Sequence, residues 1–246
     1  MSAPAIEFRR VYKSFNHTPI LAGMDLAIQS GETVTIIGES GIGKSVALKL
    51  IVGLLKPEAG QILIEGENIV PLTEDQLIRV RKKIGMVFQG SALFDSLSVA
   101  ENIAYPLREH TAMSERQIRE RIIETLRLVG LEDAEDKEPA DLSGGMRKRV
   151  ALARAIALTP RIILYDEPTT GLDPANSEKI NELIVDMDRK LEVTSVVVTH
   201  DMRSAFKISD RIGLLDKGKI VVVGTPREIE GADLPLVRQF INGTMA

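Results

Sequence analysis

Residues 33–54, which read TVTIIGESGIGKSVALKLIVGL, decide the fold of this chain. The first five residues are all β-branched and predict a buried strand, and VALKLIVGL predicts a helix. Between the two, Gly38 to Ser45 match the pattern G-x-x-x-x-G-K-[ST]. Glycines let backbone N–H groups approach phosphate oxygens, and a helix N-terminus adds partial positive charge there. The order of strand, loop and helix therefore predicts a site for nucleotide phosphates.

Within this loop, Lys44 is predicted to bridge the β- and γ-phosphates of the nucleotide. The Ser45 hydroxyl is predicted to ligate Mg²⁺, a hard ion that takes oxygen ligands. A glycine-rich turn before a helix can also be structural, but the pattern arises by chance in only about one in a hundred chains of this length. The predicted nucleotide-binding residues of the loop are Gly38, Ser40, Gly41, Gly43, Lys44, Ser45 and Val46.

Short apolar runs recur along the chain and predict buried strands, mostly in a parallel sheet. Helical patterns lie between them, and this alternation predicts an α/β fold. Near the N-terminus, residues 6–15 and 20–28 alternate in the way that antiparallel strands at a sheet edge do. The runs after the phosphate loop are Ile162 to Tyr165, Thr194 to Thr199, Ile212 to Leu215 and Lys219 to Val223.

Residues 89–159 carry no strong strand signal, and we interpret them as an α-helical subdomain inserted into the α/β core. We therefore predict a single domain over residues 1–246, whose core comprises residues 1–88 and 160–246. One helix of the subdomain is well marked, because Ser114 and Gln117 form a capping box and Gly130 offers a C-terminal stop. Its apolar stripe consists of Ile118, Ile122, Leu126 and Val129.

Composition excludes several classes of protein. The 246 residues include 31 Lys and Arg against 35 Asp and Glu, a net charge of −4, so no basic excess favours nucleic acid as a partner. No cysteine is present, which excludes disulfides, thiolate catalysis and cysteine-ligated metals. No stretch approaches the roughly 18 uninterrupted apolar residues of a spanning helix, so we expect a peripheral subunit if the protein acts at a membrane.

Two carboxylates follow a predicted strand and suit a nucleotide–magnesium site. Asp166 and Glu167 come directly after the apolar run IILY, and open α/β sheets bind ligands beyond the carboxyl ends of their strands. We assign Asp166 to Mg²⁺, directly or through water, and Glu167 to the attacking water as general base. An Asp-Glu pair after a strand is more often a helix cap or a surface turn, but the phosphate loop in the same chain reverses that preference.

Residues 142–146 read LSGGM. Together with the phosphate loop and Asp166-Glu167, they resemble the signature LSGGQ and the other motifs of ABC transporter ATP-binding subunits. Gln89, the sequence GLD ending at Asp173, and His200 after VVVT complete the six motifs of that family in its order. The resemblance implies an ABC-type P-loop NTPase fold, ATP and Mg²⁺ as ligands, and ATP hydrolysis coupled to transport.

The signature provides a second anion site, because Ser143 and the amides of Gly144 and Gly145 lie at the start of a predicted helix. The resemblance implies that two copies of the chain pair head to tail, with each ATP between the phosphate loop of one copy and the signature of the other. Met146 replaces the usual glutamine and removes a polar contact, but the flanking amides remain.

Several single residues have alternative interpretations. His200 after a strand is usually structural, but the motif order favours a contact with the γ-phosphate, with Asp201 only a turn residue. Gln89 either ends a strand or, as the resemblance implies, contacts Mg²⁺ or the attacking water. Asp173 caps a helix, lies at the dimer interface, or does both.

Phe15 lies where the family places an aromatic residue that stacks on adenine, and Tyr12 is an alternative. For either ring, packing in the core explains the aromatic residue about as well as stacking on adenine does. Cationic residues also follow the signature, and we interpret them as a solvated or dimer-facing helix surface. They are Arg147, Lys148, Arg149 and Arg154.

Residues 91–110 follow Gln89 and are predicted to form the groove that receives a permease helix, with Leu93, Phe94 and Leu97 exposed. The runs ENIAYPLREH and VRQFINGT, with the signature and the GIGKS loop, are most similar to the Mla and related MCE-type phospholipid-transport ATPases. That resemblance implies an integral membrane permease, a STAS-domain cytoplasmic protein and an MCE lipid-binding protein as partners. It also implies phospholipid as substrate, and a peripheral location on the cytoplasmic face of the inner membrane.

Two rival classes remain. A soluble ABC-type ATPase of DNA repair or ribosomes typically carries a long coiled-coil insertion or two cassettes, and this sequence shows neither. A P-loop kinase with an acceptor pocket leaves Ser143 to Gly145 unexplained.

Overall fold

The structure, a computed structural model, describes residues 3–241 and divides into two compact units. The first unit comprises the described residues up to Val80 and from Thr194 onward, and the second comprises Arg81–Val193. Residues 242–244 of the VRQFINGT run lie outside the described residues. Within residues 3–241, none of the helices combines the length and the apolar character needed to cross a bilayer.

An antiparallel sheet of four strands, in the order β2-β1-β4-β5, belongs to the first unit. Ile6, Phe8 and Val11 of β1 are buried, and Ile6 pairs with Ile28 of β2. The predicted antiparallel strands near the N-terminus are therefore confirmed. The sheet consists of β1 (Ile6–Phe15), β2 (Thr18–Ile28), β4 (Ala59–Ile64) and β5 (Glu67–Asn68).

A second set of strands in the first unit is mainly parallel. β3 lies between β8 and β9 and pairs with both in parallel, and all five of its residues are buried, as in a strand covered on both faces. The last strand, β10, runs antiparallel to β9. These strands are β3 (Thr33–Ile37), β8 (Thr194–Thr199), β9 (Arg211–Asp216) and β10 (Lys219–Gly224).

One strand prediction needs correction. β10 was predicted as a buried strand, but its residues alternate in exposure, and Val221 and Val223 are exposed. The reason is that β10 lies at the end of the strand order and, within this set of strands, pairs only with β9. The remaining elements lie in the first unit, apart from the last residue of α2, and are α1 (Lys44–Ile51), α2 (Glu74–Arg81), α7 (Met202–Ile208), α8 (Pro226–Glu230) and α9 (Pro235–Ile241).

The second unit pairs β6 with β7 in parallel and carries four α-helices and one short 3₁₀ helix. The marked helix α4 is confirmed: Ser114 forms the predicted capping box with Gln117, and Gly130 follows the helix with φ of 66°. The described α/β architecture, with a mostly parallel core and an antiparallel edge, confirms the predicted fold class. The elements are β6 (Ile84–Val87), α3 (Val99–His110), α4 (Glu115–Leu128), α5 (Gly144–Ile156), β7 (Ile162–Asp166) and α6 (Pro174–Leu191).

The predicted subdomain boundaries differ from this division. Residues 89–159 contain α3, α4 and α5 and no strand, but the compact unit also includes β6, β7 and α6. A helical subdomain confined to residues 89–159 stays a prediction.

Candidate nucleotide-binding site

The predicted phosphate loop joins β3 directly to α1 in the first unit. Gly43 is the N-cap of α1 with φ of 117°, a conformation that residues with a side chain rarely adopt. A Cβ at Gly43 would lie 2.7 Å from Cγ2 of Ile20, and one at Gly38 would lie 2.8 Å from the carbonyl oxygen of Leu215. Glycine is therefore required at Gly43 for both backbone conformation and space, and at Gly38 for space.

Lys44 directs its ammonium group into this loop. Its Nζ donates to the carbonyl oxygens of Gly38, at 2.7 Å, and Glu39, at 3.0 Å, and the side chain is buried. The loop thus holds a positive charge beside the backbone amides at the start of α1, where an anion is favoured. Ser45 and Val46 occupy the first turn of α1 and are half-buried.

The two aromatic candidates for adenine stacking are equally accessible. Phe15 is 42% exposed and Tyr12 is 40% exposed, so exposure does not select between them. The ring of Phe15 lies under the ammonium of Lys13, 5.2 Å from its centroid. The ring of Tyr12 instead packs over Gly23, where an added Cβ would lie 2.8 Å from the hydroxyl. Stacking by Phe15 stays a prediction.

His200 follows β8 directly and is exposed. Asp201 is more than the turn residue that we predicted, because it is the N-cap of α7. Its carboxylate accepts from the backbone N–H of Arg203 at 3.0 Å and from the Ser204 hydroxyl at 2.6 Å. This cap holds the chain immediately after His200.

In the second unit, Asp166 ends β7 and Glu167 follows it, and both carboxylates are buried. Glu167 has φ of 49°, a left-handed backbone conformation that is uncommon for residues other than glycine. Thr170 donates its hydroxyl to Oε2 of Glu167 at 3.2 Å and its backbone N–H to the Glu167 carbonyl at 3.3 Å. The turn after β7 therefore fixes both the backbone and the side chain of the predicted base.

Sequence reasoning missed Lys148. We assigned it to a solvated or dimer-facing basic surface, but its side chain is buried, and Nζ donates to the carbonyl oxygens of Gln89 and, at 3.4 Å, of Glu167. Burial lowers the pKa of the Lys148 ammonium, and the negative charges of Asp166 and Glu167 oppose that shift.

A signal for this burial is present in the sequence. Lys148, Leu152 and Ile156 are spaced four residues apart, which places them on one face of a helix. All three are buried on α5. Helical periodicity therefore identifies the lysine as inward-facing, whereas its charged neighbours suggest solvent.

Arg154 also departs from the predicted basic surface. Its guanidinium donates to the carbonyl oxygens of Ser91 at 2.9 Å and Ala92 at 2.7 Å, and it lies 6.0 Å from the ring centroid of Phe94. Burial lowers the pKa of Arg154. Gln89, predicted to contact Mg²⁺ or water, is itself exposed and precedes this segment.

The signature begins α5 as predicted. Ser143 is the N-cap, and its hydroxyl accepts from the backbone N–H of Met146 at 3.3 Å. Gly144 and Gly145 form the first turn, where backbone N–H groups and the helix dipole favour an anion. The predicted helix start is therefore present, and anion binding there stays a prediction.

Asp173 caps α6, one of the two roles that the sequence left open. It accepts from the backbone N–H of Asn176 at 3.0 Å and from the amide group of the same residue at 2.5 Å. These hydrogen bonds lower the pKa of Asp173. A Cβ on Gly145 would lie 3.6 Å from Oδ1 of Asn176, so the signature and the start of α6 are neighbours. A role at a dimer interface stays a prediction.

The predicted docking segment exposes a pair of aromatic rings. Phe94 and Tyr105 are exposed, and their ring centroids lie 4.9 Å apart. Leu93 and Leu97 were predicted to be exposed, but both are half-buried. The large apolar side chains that this segment exposes are therefore aromatic.

Asn102 of α3 organises the loop before that helix. The residue is fully buried, and its Oδ1 accepts from the backbone N–H of Phe94 at 2.9 Å. Its amide group donates to the carbonyls of Phe94 at 3.1 Å and Leu97 at 3.0 Å. One buried polar side chain thus replaces the regular hydrogen bonds that this loop lacks.

The donors predicted for Mg²⁺ fit that ion chemically. Ser45, Gln89 and Asp166 offer a hydroxyl, an amide oxygen and a carboxylate, all of them hard oxygen ligands. Mg²⁺ typically takes one or two carboxylates and completes its shell with waters and substrate phosphates. This set, with one carboxylate, is of that kind.

Comparison with known proteins places these motifs in a family. The family model described as ABC transporter matches residues 21–170, which include the phosphate loop, Gln89, the signature and Asp166-Glu167. Phe15, Asp173 and His200 lie outside the matched range.

Individual proteins match over almost the whole chain. The probable ribonucleotide transport ATP-binding protein mkl of Mycobacterium leprae is 44% identical over 97% of this chain and 69% of its own length. The intermembrane phospholipid transport system ATP-binding protein MlaF of Haemophilus influenzae is 41% identical over 99% of this chain and 92% of its own length. Among solved structures, the dimeric post-hydrolysis state of the ATP-binding cassette MJ0796, bound to ADP and phosphate, is 37% identical. The TM-score between the two structures is 0.83, and the match covers 90% of this chain and 99% of the MJ0796 chain.

Proposed function

The chain belongs to the ABC transporter family, and from that premise we propose that it powers phospholipid transport between the inner and outer membranes through an MCE-type complex. Membership makes it an ATPase whose hydrolysis is coupled to transport. One observation carries the lipid proposal: the similarity to MlaF of Haemophilus influenzae spans 99% of this chain and 92% of that protein. Such transport would maintain the lipid asymmetry of the outer membrane.

A ribonucleotide is a second candidate substrate. The mycobacterial relative named for probable ribonucleotide transport is 44% identical, slightly more than MlaF. That relative is longer, and this chain spans only 69% of it. We favour phospholipid because the overlap with MlaF is nearly complete for both proteins.

Hydrolysis requires a base, a clamp on the phosphates and a positioned water. Glu167 accepts the proton of the attacking water, Lys44 binds the β- and γ-phosphates, and His200 contacts the γ-phosphate. Bound Mg²⁺ supplies positive charge against the phosphates, and Ser45, Gln89 and Asp166 would hold it. The hydrogen bond from the Thr170 hydroxyl to Oε2 supports this role, because it holds the Glu167 carboxylate in position.

Two copies of the chain share each ATP in this proposal. Each copy carries a phosphate loop and, separately, a helix start at Ser143 to Gly145 that we assign to the phosphates of the ATP held by the other copy. The similar cassette MJ0796 is described as dimeric, with ADP and phosphate bound. ATP would join two copies, and its hydrolysis would release them.

The dimer can be tested with Glu167→Gln, which should bind ATP without hydrolysing it. Sedimentation at saturating ATP should then give a dimer, and the nucleotide-free protein should give a monomer. A monomer at saturating ATP would argue against the shared site, provided that nucleotide binding is measured in the same sample.

The partner surface is the aromatic pair of the docking segment. Phe94 and Tyr105 present adjacent exposed rings, and large exposed apolar groups commonly mark protein contacts. We assign this surface to an integral membrane permease, on the cytoplasmic face of the inner membrane. A STAS-domain protein and an MCE lipid-binding protein complete the proposed complex.

Purification of the tagged full chain from gently solubilised membranes tests the partner and the substrate together. An integral permease and bound phospholipid should copurify, and ATP should drive the transfer of labelled phospholipid in reconstituted vesicles. Labelled ribonucleotide, tested in the same vesicles, distinguishes the second candidate. ATP-dependent ribonucleotide uptake without lipid transfer would refute the phospholipid proposal.

A further inference from the structure

The ammonium group of Lys148 lies between two segments of the second unit that carry predicted catalytic side chains. It donates to the main-chain carbonyl of Gln89, after β6, and to that of Glu167, after β7. Both carbonyls belong to the residues whose side chains are assigned to the metal or water and to proton transfer. Lys148 itself stands on α5, five residues after the signature serine that caps this helix.

We propose that Lys148 is a positioning residue that fastens the backbones of Gln89 and Glu167 to the signature helix. The inference rests on the proposed roles of those two residues. Lys148 does not touch the reacting atoms in this account. It acts by holding the two segments in one arrangement relative to α5.

The surroundings explain why a buried charge is tolerated at this position. A buried ammonium is costly unless hydrogen bonds and opposite charges compensate it. Here two carbonyl oxygens accept from it, and the carboxylates of Asp166 and Glu167 supply negative charge nearby. A neutral apolar side chain of similar length would leave both carbonyls without this donor.

The backbone of Glu167 adds a reason for such support. Its φ of 49° is a left-handed conformation that persists only where neighbouring groups hold it. Thr170 and Lys148 both donate to its carbonyl oxygen. Loss of Lys148 should therefore let the peptide relax and displace the carboxylate from the attacking water.

Arg154 offers a matched comparison on the same helix. It donates to the carbonyls of Ser91 and Ala92, in the segment that begins at Gln89, and these two residues also have positive φ, of 64° and 47°. Arg154 thus fastens the docking side of the segment to α5. Lys148 fastens its catalytic side and reaches Glu167 as well.

The test compares Lys148→Met, Lys148→Arg and Arg154→Met in the purified full chain. We measure kcat, KM, the equilibrium Kd for ATP and the Tm of each variant. Lys148→Met should lower kcat about 10- to 100-fold, since a displacement near 1 Å costs about that much, with the Kd for ATP within about threefold of wild type. Lys148→Arg keeps the charge and the donors and should recover most of the lost kcat. Arg154→Met should lower kcat less.

Each outcome decides the inference. Equal losses of kcat in Lys148→Met and Arg154→Met, or parallel losses of kcat and ATP affinity, would assign Lys148 a merely structural role and overturn it. If Lys148→Met fails to fold, Lys148→Gln carries the same comparison. Glu167→Gln separates this inference from the proposed function. Active Glu167→Gln refutes the role of Glu167, whereas inactive Glu167→Gln beside active Lys148→Met refutes the role of Lys148 alone.

Discussion

Replacing Glu167 with glutamine should separate ATP binding from ATP hydrolysis. Glutamine matches glutamate in size and keeps an oxygen that can accept the Thr170 hydroxyl, which lies 3.2 Å from Oε2. The amide cannot take a proton from water at neutral pH. General acid–base catalysis typically contributes about 10²- to 10⁴-fold, so hydrolysis should fall by that factor, which is about 3–5 kcal/mol of barrier.

ATP binding should be unchanged or tighter in this variant. Glu167 and the adjacent Asp166 are 8% and 6% exposed, so their charges are poorly screened by water. The substitution removes one of the two negative charges that the proposed mechanism assigns to the ATP site. Repulsion between the protein and the triphosphate therefore decreases.

Phosphate release and equilibrium binding of a fluorescent ATP analogue, measured on the same preparation, check both statements. The matched control is Glu120→Gln, which alters an exposed carboxylate 3.6 Å from Arg116 on α4 and should leave both quantities unchanged. Hydrolysis within tenfold of wild type would refute the assignment of Glu167 as the base. A large loss of ATP affinity would refute the claim that the carboxylate acts in chemistry rather than in binding.

Two further substitutions test the phosphate loop and a helix cap. Lys44→Ala removes the ammonium group that the loop holds. ATP affinity should then fall about 10- to 100-fold, the usual contribution of a hydrogen bond to a charged group. Unchanged ATP affinity in an equilibrium titration would contradict the role of Lys44 in binding phosphate. Ser114→Ala breaks the capping box with Gln117. It should lower the free energy of unfolding by about 1 kcal/mol and the Tm by about 2–4 °C, while hydrolysis at 25 °C is retained. Thermal unfolding checks this, with Ser114→Thr as the control that keeps the cap, and an equal loss in both variants would argue against the cap.

The local features of the fold were predictable because their signals are local. The strand Thr33–Ile37 has the predicted bounds, since five β-branched residues end at a glycine. The helix α4 begins where the capping box places it, because Ser114 and Gln117 satisfy each other's backbone N–H groups. The order of strand, loop and helix around Lys44 follows in the same way.

Features set by distant contacts were harder to predict. The apolar run of β10 does not reveal that this strand pairs only with β9 among the strands of its set. Val221 and Val223 were therefore predicted to be buried, although they are exposed. Lys148 lies in the run Arg147 to Arg149, whose charge suggests solvent, and its carbonyl partners are 59 and 19 residues away along the chain. A run of charged residues does not by itself show which side chains face solvent. The helical periodicity of the surrounding sequence must be considered as well.

The contacts between α5 and the segment after Gln89 affect which substitutions that segment can accept during evolution. The hydrogen bonds that Lys148 and Arg154 make there go to main-chain oxygens, at Gln89, Ser91 and Ala92. Every amino acid supplies such an oxygen, so substitutions in this segment leave these hydrogen bonds intact. The exceptions are residues that cannot adopt positive φ. In the docking role that we propose for this segment, its outward-facing side chains can change to suit a different membrane protein while the main-chain contacts with α5 are kept.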